Sequence, residues 1–253
     1  MMAESIDVSN DCFLGGQLKI WQSTRGYRAG HDAVLLGASV PAQGGECVLD
    51  AGGGAGVAGL CVGMRVEGVR LVCLDNDETQ AKLARENLAR NAQTGDSLVG
   101  DLTGVLSDLE GVGLKKGSFD HVLSNPPYRV EGASTLPVNK GRAQAFVLHT
   151  SLGAWVERCC FFAKIGGTVT FIYLAHEISS LVVAMSAHCG DIKIMPLWPH
   201  AGTPARRIII QGRRGARGKD AVLPGLVLHE AGGSATKAAD DVLRGCIGLK
   251  GLI

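Results

Sequence analysis

Between residues 47 and 125 the chain repeats one pattern four times: a short apolar run that closes on a polar residue and is followed by a break. Cys47-Val48-Leu49 closes on Asp50, Leu71 to Leu74 on Asp75, Ser97 to Val99 near Asp101, and Phe119 to Leu123 on Ser124-Asn125-Pro126-Pro127. Continuous apolar runs of this length are expected of strands covered on both faces. Between them the period changes to that of helices. Val57, Leu60, Cys61 and Met64 fall at i, i+3, i+4 and i+7, and Ala81, Ala84 and Leu88 form a second stripe. Asp77 with Gln80 three residues on has the form of a capping box. The remainder reads as a hairpin around Gly15-Gly16 and a helix over 32–40 with Asp32 as its cap. A long helix covers 146–162, a turn at Gly166-Gly167 leads into a strand over 168–174, and a helix spans 176–188. Late strands fall at 192–197, 207–211 and 226–229. Strands alternating with helices predict an α/β fold with a mostly parallel sheet covered by helices on both faces. The whole of 1–253 is expected to form one domain, with 1–44 as a hairpin and helix extension packed on the ligand site.

In such sheets ligands bind beyond the carboxyl ends of the strands. Asp50, Asp75, Asp101 and Asn125 therefore belong to one rim.

Composition narrows the class. With 46% hydrophobic residues, 19% charged residues and a net charge of +1, the chain has a core and is not a polyelectrolyte. The 36 glycines, about twice the usual share of roughly 7%, indicate many tight turns rather than a collagen-like repeat. Eight cysteines without a C-x-x-C pair, several inside apolar runs (Cys47, Cys61, Cys73, Cys159, Cys160), read as buried thiols of a reducing compartment and not as a zinc site. No metal is expected. The first residues lack the form of a signal peptide, and the apolar run 165–175 is too short for a bilayer. A cytoplasmic protein without membrane attachment is the expectation.

Chemistry enters at the strand ends. Asp50-Ala51-Gly52-Gly53-Gly54-Ala55-Gly56 places Asp-x-Gly-x-Gly-x-Gly directly after a strand. Glycines there let the backbone approach a ligand, and the next helix offers its N-terminal N–H groups. Gly54, Gly56 and Gly59 also satisfy the dinucleotide pattern, with the first glycine late for that role. Asp75 lies 25 positions after Asp50, where a carboxylate can accept the hydroxyls of a ribose. Ribose recognition alone leaves a nicotinamide cofactor and adenosylmethionine both open. Asp101 is placed to accept an adenine amino group.

Asn125-Pro126-Pro127-Tyr128 carries the most specific signal. Two prolines fix the backbone and remove two donors, which sets the Asn amide and the carbonyls outward. Tyr128 supplies a flat face for a planar group. An exocyclic amine is a poor nucleophile because its lone pair is delocalised. Accepting its N–H protons on the Asn125 side-chain oxygen and the Pro126 carbonyl favours a tetrahedral nitrogen aimed at a sulfonium methyl. Positioning and fixed dipoles then supply catalysis without a separate base.

These motifs together resemble the class I, Rossmann-like amino-methyltransferases, whose members with Asn-Pro-Pro-Tyr act on adenine N6, guanine N2 or a glutamine amide. The resemblance implies a Rossmann-like, mostly parallel seven-stranded sheet with helices on both faces. The stretch from Asp11 to Gly37, with Gly26-Tyr27-Arg28 and Asp32-Ala33-Val34-Leu35-Leu36, is similar to the tRNA(Val) (adenine-N6)-methyltransferase-like family. Pro204 to Arg207 and Leu228-His229 extend the likeness. It implies S-adenosyl-L-methionine as cofactor, held by Asp50, Gly52, Gly54, Gly56, Asp75, Asn76, Asp101 and Asp32. It also implies a catalytic role for Asn125, Pro126, Pro127 and Tyr128, and tRNA as partner. Ala51 and Gly53 depart from the family's usual Leu and Ala, and Asp75 from its usual Glu. Arg129, Lys140 and Arg142 in the loop after Tyr128, with Arg206 and Arg207, are the expected substrate contacts. Arg206 and Arg207 join Arg213, Arg214, Arg217 and Lys219 in a basic run suited to phosphates. A protein-glutamine or small-molecule methyltransferase, a nicotinamide oxidoreductase and a non-catalytic binding module are the competing readings. The oxidoreductase leaves residues 125–128 without a purpose. His31 and His121 read as structural neighbours of the rim.

Overall fold

The structure is a computed structural model that describes residues 7–127 and 152–252. The expected site residues Tyr128, Arg129, Lys140 and Arg142 lie outside the described residues, as does the first part of the helix expected over 146–162.

Strands β1 (Val8–Phe13) and β2 (Leu18–Ser23) form an antiparallel hairpin. Helix α1 (His31–Ala38) follows. Then come β3 (Cys47–Ala51), α2 (Val57–Arg65), β4 (Arg70–Asp75), α3 (Glu78–Arg90), β5 (Gly95–Val99), α4 (Leu106–Gly111) and β6 (Phe119–Ser124). After the undescribed segment come α5 (Leu152–Phe162), β7 (Ala163–Leu174), α6 (Ile178–Ser186), β8 (Cys189–His200), β9 (Arg207–Arg214), β10 (Ala221–Val222), β11 (Leu226–His229) and α7 (Lys237–Gly245).

The large sheet runs β10-β8-β9-β7-β6-β3-β4-β5, with β11 also on β8. The sheet has nine strands rather than the expected seven: all eight runs read as strands are present, β11 among them, and the two-residue β10 was not read from the sequence. Only β9 runs against its neighbours, β7 and β8. Successive residues of one strand enter opposite cores: Val48 packs with α1 and α2, and Leu49 with α5, both fully buried. This two-sided burial is why the strands are continuous apolar runs. The hairpin, α1, α2, α3 and α7 cover one face, and α4, α5 and α6 the other.

The hairpin is held to α3 by two asparagines one turn apart. Asn87 Oδ1 accepts the Trp21 N–H at 2.8 Å, and its Nδ2 donates to the Trp21 and Ala55 carbonyls at 2.9 and 3.0 Å. Asn91 does the same for the Lys19 N–H and C=O. The outer edge of β2 is thus satisfied by side chains, and one of them reaches the glycine loop.

Four expectations are corrected. Asp32 does not cap α1: Gly30 holds that position, and Asp32 in the first turn instead accepts from Arg207 Nε at 3.1 Å. Gly166-Gly167 lies inside β7 rather than before it, at a register irregularity against β6 where Gly166 takes φ +80°. His121 is at the opposite end of the sheet from the rim, paired in register with Val48, buried, and set between Thr168 and Glu46. The basic run is divided by β9 itself. Arg207 lies beside Leu174 at the rim, whereas Arg213 and Arg214 lie at the other end and donate to the carbonyls of Gly166 and Phe161. Helices α4 and α7 were not read from the sequence. No described helix is long and apolar enough to cross a membrane.

Candidate functional site

The rim is built by the carboxyl ends of β3, β4, β5 and β6, which pair in parallel and end nearly level. Over them lies the glycine loop. The N–H groups of Gly52 and Gly53 both donate to the Leu74 carbonyl, at 2.8 and 3.0 Å, which docks the loop on the end of β4. Gly52, Gly54 and Gly56 take φ of +69°, +55° and +81°, conformations that L residues seldom adopt. A Cβ on Gly52 would stand 2.8 Å from the Trp155 ring, and one on Gly53 2.7 Å from the Asp50 carboxyl carbon. The departure from the usual Ala to Gly53 therefore gives room to Asp50.

Asp50 is the interior member of the rim. It is 2% exposed and accepts the Gly59 N–H on Oδ2 at 2.8 Å. Burial drives its carboxyl up to about 7, with the Gly59 N–H opposing and the nearby Asp75 charge adding to the rise. Enclosed by Gly53 and Gly59, it shapes the loop from beneath.

Asp75 is half-buried and reaches the loop from β4. Its Oδ2 accepts the Gly54 N–H at 2.8 Å and its Oδ1 the Asp77 N–H at 3.0 Å. Burial raises its pKa against these two bonds. Asn76 beside it is exposed. Asp77 caps α3 through Thr79 and Gln80, as its position in the sequence predicts. Asp101 is exposed after β5, with Oδ1 accepting the Thr103 N–H and hydroxyl, both at 2.9 Å.

At the end of β6, Ser124 is fully buried and donates to the Ala51 carbonyl at 2.6 Å, while Trp155 Nε1 donates to Ser124 Oγ at 2.8 Å. Trp155 on α5 thereby braces both the glycine loop and the start of the Asn-Pro-Pro segment. Asn125 is partly buried, Pro126 buried and Pro127 exposed. Asn125 Nδ2 donates to the Tyr27 hydroxyl at 3.0 Å. Tyr27 is held there by its neighbours: Arg28 bonds both carboxylate oxygens of Asp11, and the Ala29 N–H donates to Gln22 Oε1 at 2.8 Å.

Asp32 and Arg207 meet at the same edge, and Arg206 is exposed beside them. Tyr27, Ser124 and Trp155 were not singled out from the sequence as site residues. Trp155 reads there as one more apolar position on a helix stripe. Tyr27 stands within the segment that carried the resemblance. Among the described residues, no group of three or more His, Cys, Asp or Glu is placed to hold a metal ion.

Residues 31–147 match the sequence model of the methyltransferase small domain. The chain is 28% identical to a tRNA1(Val) (adenine(37)-N6)-methyltransferase of Shewanella sp. (strain W3-18-1) over 60% of this chain and 63% of that protein. It is 32% identical to the protein of the same name from Bacteroides thetaiotaomicron, over 50% of this chain and 52% of the relative. The chain thus spans between about half and two thirds of the length of these relatives. Among solved structures, a predicted O-methyltransferase of Agrobacterium tumefaciens superposes with a TM-score of 0.72 at 24% identity, covering 86% of this chain and 98% of that one. A T. thermophilus 16S rRNA N2 methyltransferase in complex with AdoMet and guanosine gives 0.56 at 19% identity, covering 83% of this chain and 51% of that one. Family model and fold are both those of methyltransferases, and the architecture is the class I fold expected from the sequence.

Proposed function

We propose that this protein transfers a methyl group from S-adenosyl-L-methionine to the exocyclic N6 of an adenine in tRNA, at Asn125. The observation that carries the reading is the Asn125 side chain, pinned by Tyr27 at the end of β6 and within one residue of Ser124, which bonds the strand that bears the glycine loop. The names of the Shewanella and Bacteroides relatives support the acceptor.

The residues present fit the cofactor. Gly52, Gly54 and Gly56 keep Cβ atoms out of the loop, Asp75 offers a half-buried carboxylate for ribose hydroxyls, and Asp101 stands at the next strand end for the adenine amino group. Bound there, adenosylmethionine supplies an electrophilic sulfonium methyl. Asp50 holds the shape of the loop, with Asn76 and Asp32 at its margins.

The protein's own part is orientation. With Nδ2 committed to Tyr27, Oδ1 is the accepting end of the Asn125 amide. That oxygen and the Pro126 carbonyl take the two N–H bonds of the acceptor amine, so the nitrogen lone pair is turned toward the methyl group. Pro127 keeps the segment rigid, and Tyr128 stacks on the base. The adenine must leave its stack to reach this place, which is easiest in a loop of tRNA. Arg206 and Arg207 at the rim, together with Arg129, Lys140 and Arg142, contact phosphates.

The test is incubation of wild type and Asn125→Ala with labelled adenosylmethionine and total tRNA, followed by nucleoside analysis. N6-methyladenosine formed by the wild type alone supports the reading. Bound cofactor with unlabelled RNA would move the acceptor to a protein amide or a small molecule.

A further inference from the structure

Far from the rim, the start of β8 meets the last turn of α5. Cys160 on α5 and Cys189 on β8 are both buried, with their Sγ atoms 3.6 Å apart. A disulfide requires about 2.05 Å, so the two sulfurs lie one small side-chain movement from bonding. The pair is not sealed from solvent. Cys160 lines a cavity of about 300 Å³, roughly ten water volumes, whose other walls include Lys116, Glu157, Phe161, His188 and Arg214. Arg214 is also the residue directly opposite Cys189 in the β8–β9 register. Lys116 and Arg214 against Glu157 leave this mouth with one net positive charge, the setting in which thiols become reactive.

We propose that Cys160 and Cys189 are a reversible dithiol–disulfide site, oxidised through this cavity by a peroxide. The thiolate of one cysteine of the pair attacks one oxygen of hydrogen peroxide. The O–O bond breaks, a sulfenic acid forms, and the departing hydroxide takes the proton that the thiol gave up, leaving as water. The sulfur of its partner then attacks the sulfenic sulfur, the S–O bond breaks, and a second water leaves with the partner's thiol proton. Two thiols are oxidised and one peroxide is reduced to two waters. Closing the bond fastens α5, which carries Trp155 against the glycine loop, to the outer part of the sheet.

Cys160 and Cys189 are distinguished from the other thiols by this contact. Cys12 is exposed, and Cys61, Cys73 and Cys159 are buried. The test uses the full reduced chain, exposed to hydrogen peroxide, blocked with iodoacetamide while unfolding, and digested without reductant. The expected product is a Cys160–Cys189 linked peptide, two hydrogens lighter than its reduced parts, at least tenfold above any other pair and reversed by dithiothreitol. Recovery of both cysteines as separate alkylated peptides, at peroxide doses that oxidise Cys12, overturns the proposal. So does the same pair preference in a urea-unfolded chain, because the native contact would then not direct the bond. Cys189→Ser should abolish the linked species, and the wild-type map decides the question even if that variant does not fold.

Discussion

Asn125 and Tyr27, 98 residues apart, share a 3.0 Å hydrogen bond in which the amide donates and the phenol accepts. With Nδ2 turned to the phenol, Oδ1 is the other end of the amide at the end of β6.

Asn125→Ala removes the acceptor for the substrate amine, and its kcat should fall by about 10²- to 10³-fold, as for other fixed dipoles in active sites. Tyr27→Phe leaves Asn125 in place and removes this one bond, and kcat should fall about tenfold with little change in affinity for adenosylmethionine. Steady-state methylation of tRNA, with cofactor affinity by calorimetry, checks both. An unchanged kcat in Tyr27→Phe would show that the phenol does not orient the amide.

Gly52→Ala places a methyl group against the Trp155 ring in a backbone conformation at φ +69°. The strain should lower stability by about 1–3 kcal/mol and weaken cofactor binding at least tenfold. Thermal melts and calorimetry on this variant test it, and wild-type cofactor affinity would mean that the loop is not the cradle.

Asp50 gives a pH dependence of defined sign. Its folded pKa of about 7 is above the unfolded value of roughly 3.9, so the folded state binds more protons between them. The stability associated with this group is fully present below about pH 4 and is lost as pH rises through 7, with a ceiling on the order of 4 kcal/mol. Melts of wild type and Asp50→Asn from pH 4 to 8 should show the wild type losing ground across that window. Parallel curves would mean that Asp50 stays ionised throughout.

Arg206→Gln at the rim should weaken tRNA binding and lower the salt slope by about one. Arg213→Gln and Lys219→Gln change charges that follow β9 to the far end of the sheet, or lie beyond it, and should leave the slope unchanged. Binding titrations at several salt concentrations separate the two groups.

The rim was legible because each of its carboxylates ends an apolar run, and strand ends in a parallel sheet must share an edge. The Gly52 to Gly56 loop was legible for a related reason: its conformations exclude most other residues. What escaped the sequence were partnerships across long separations. Nothing local marks Trp155 as the brace of Gly52, or Asn87 as the partner of Trp21. Asp32 looked like a cap because it opens an apolar helix, yet Arg207, 175 positions later, takes its carboxylate. The run from Arg206 to Lys219 looked like one patch because adjacency in sequence is not adjacency in space when a strand of eight residues intervenes.

Asn87 and Asn91 stand in for a missing neighbour strand along β2, and this makes the hairpin a splint for the loop that it does not itself contain. Exchanging the first 24 residues for an unrelated leader would leave Asn87, wholly enclosed, with its two bonds to Trp21 unmet, at about 1–3 kcal/mol for each polar group left alone. The loss would travel along the third bond to Ala55. A chimera joined at that seam should therefore inherit a loosened glycine loop, unless the graft brings a strand whose edge the two asparagines can read.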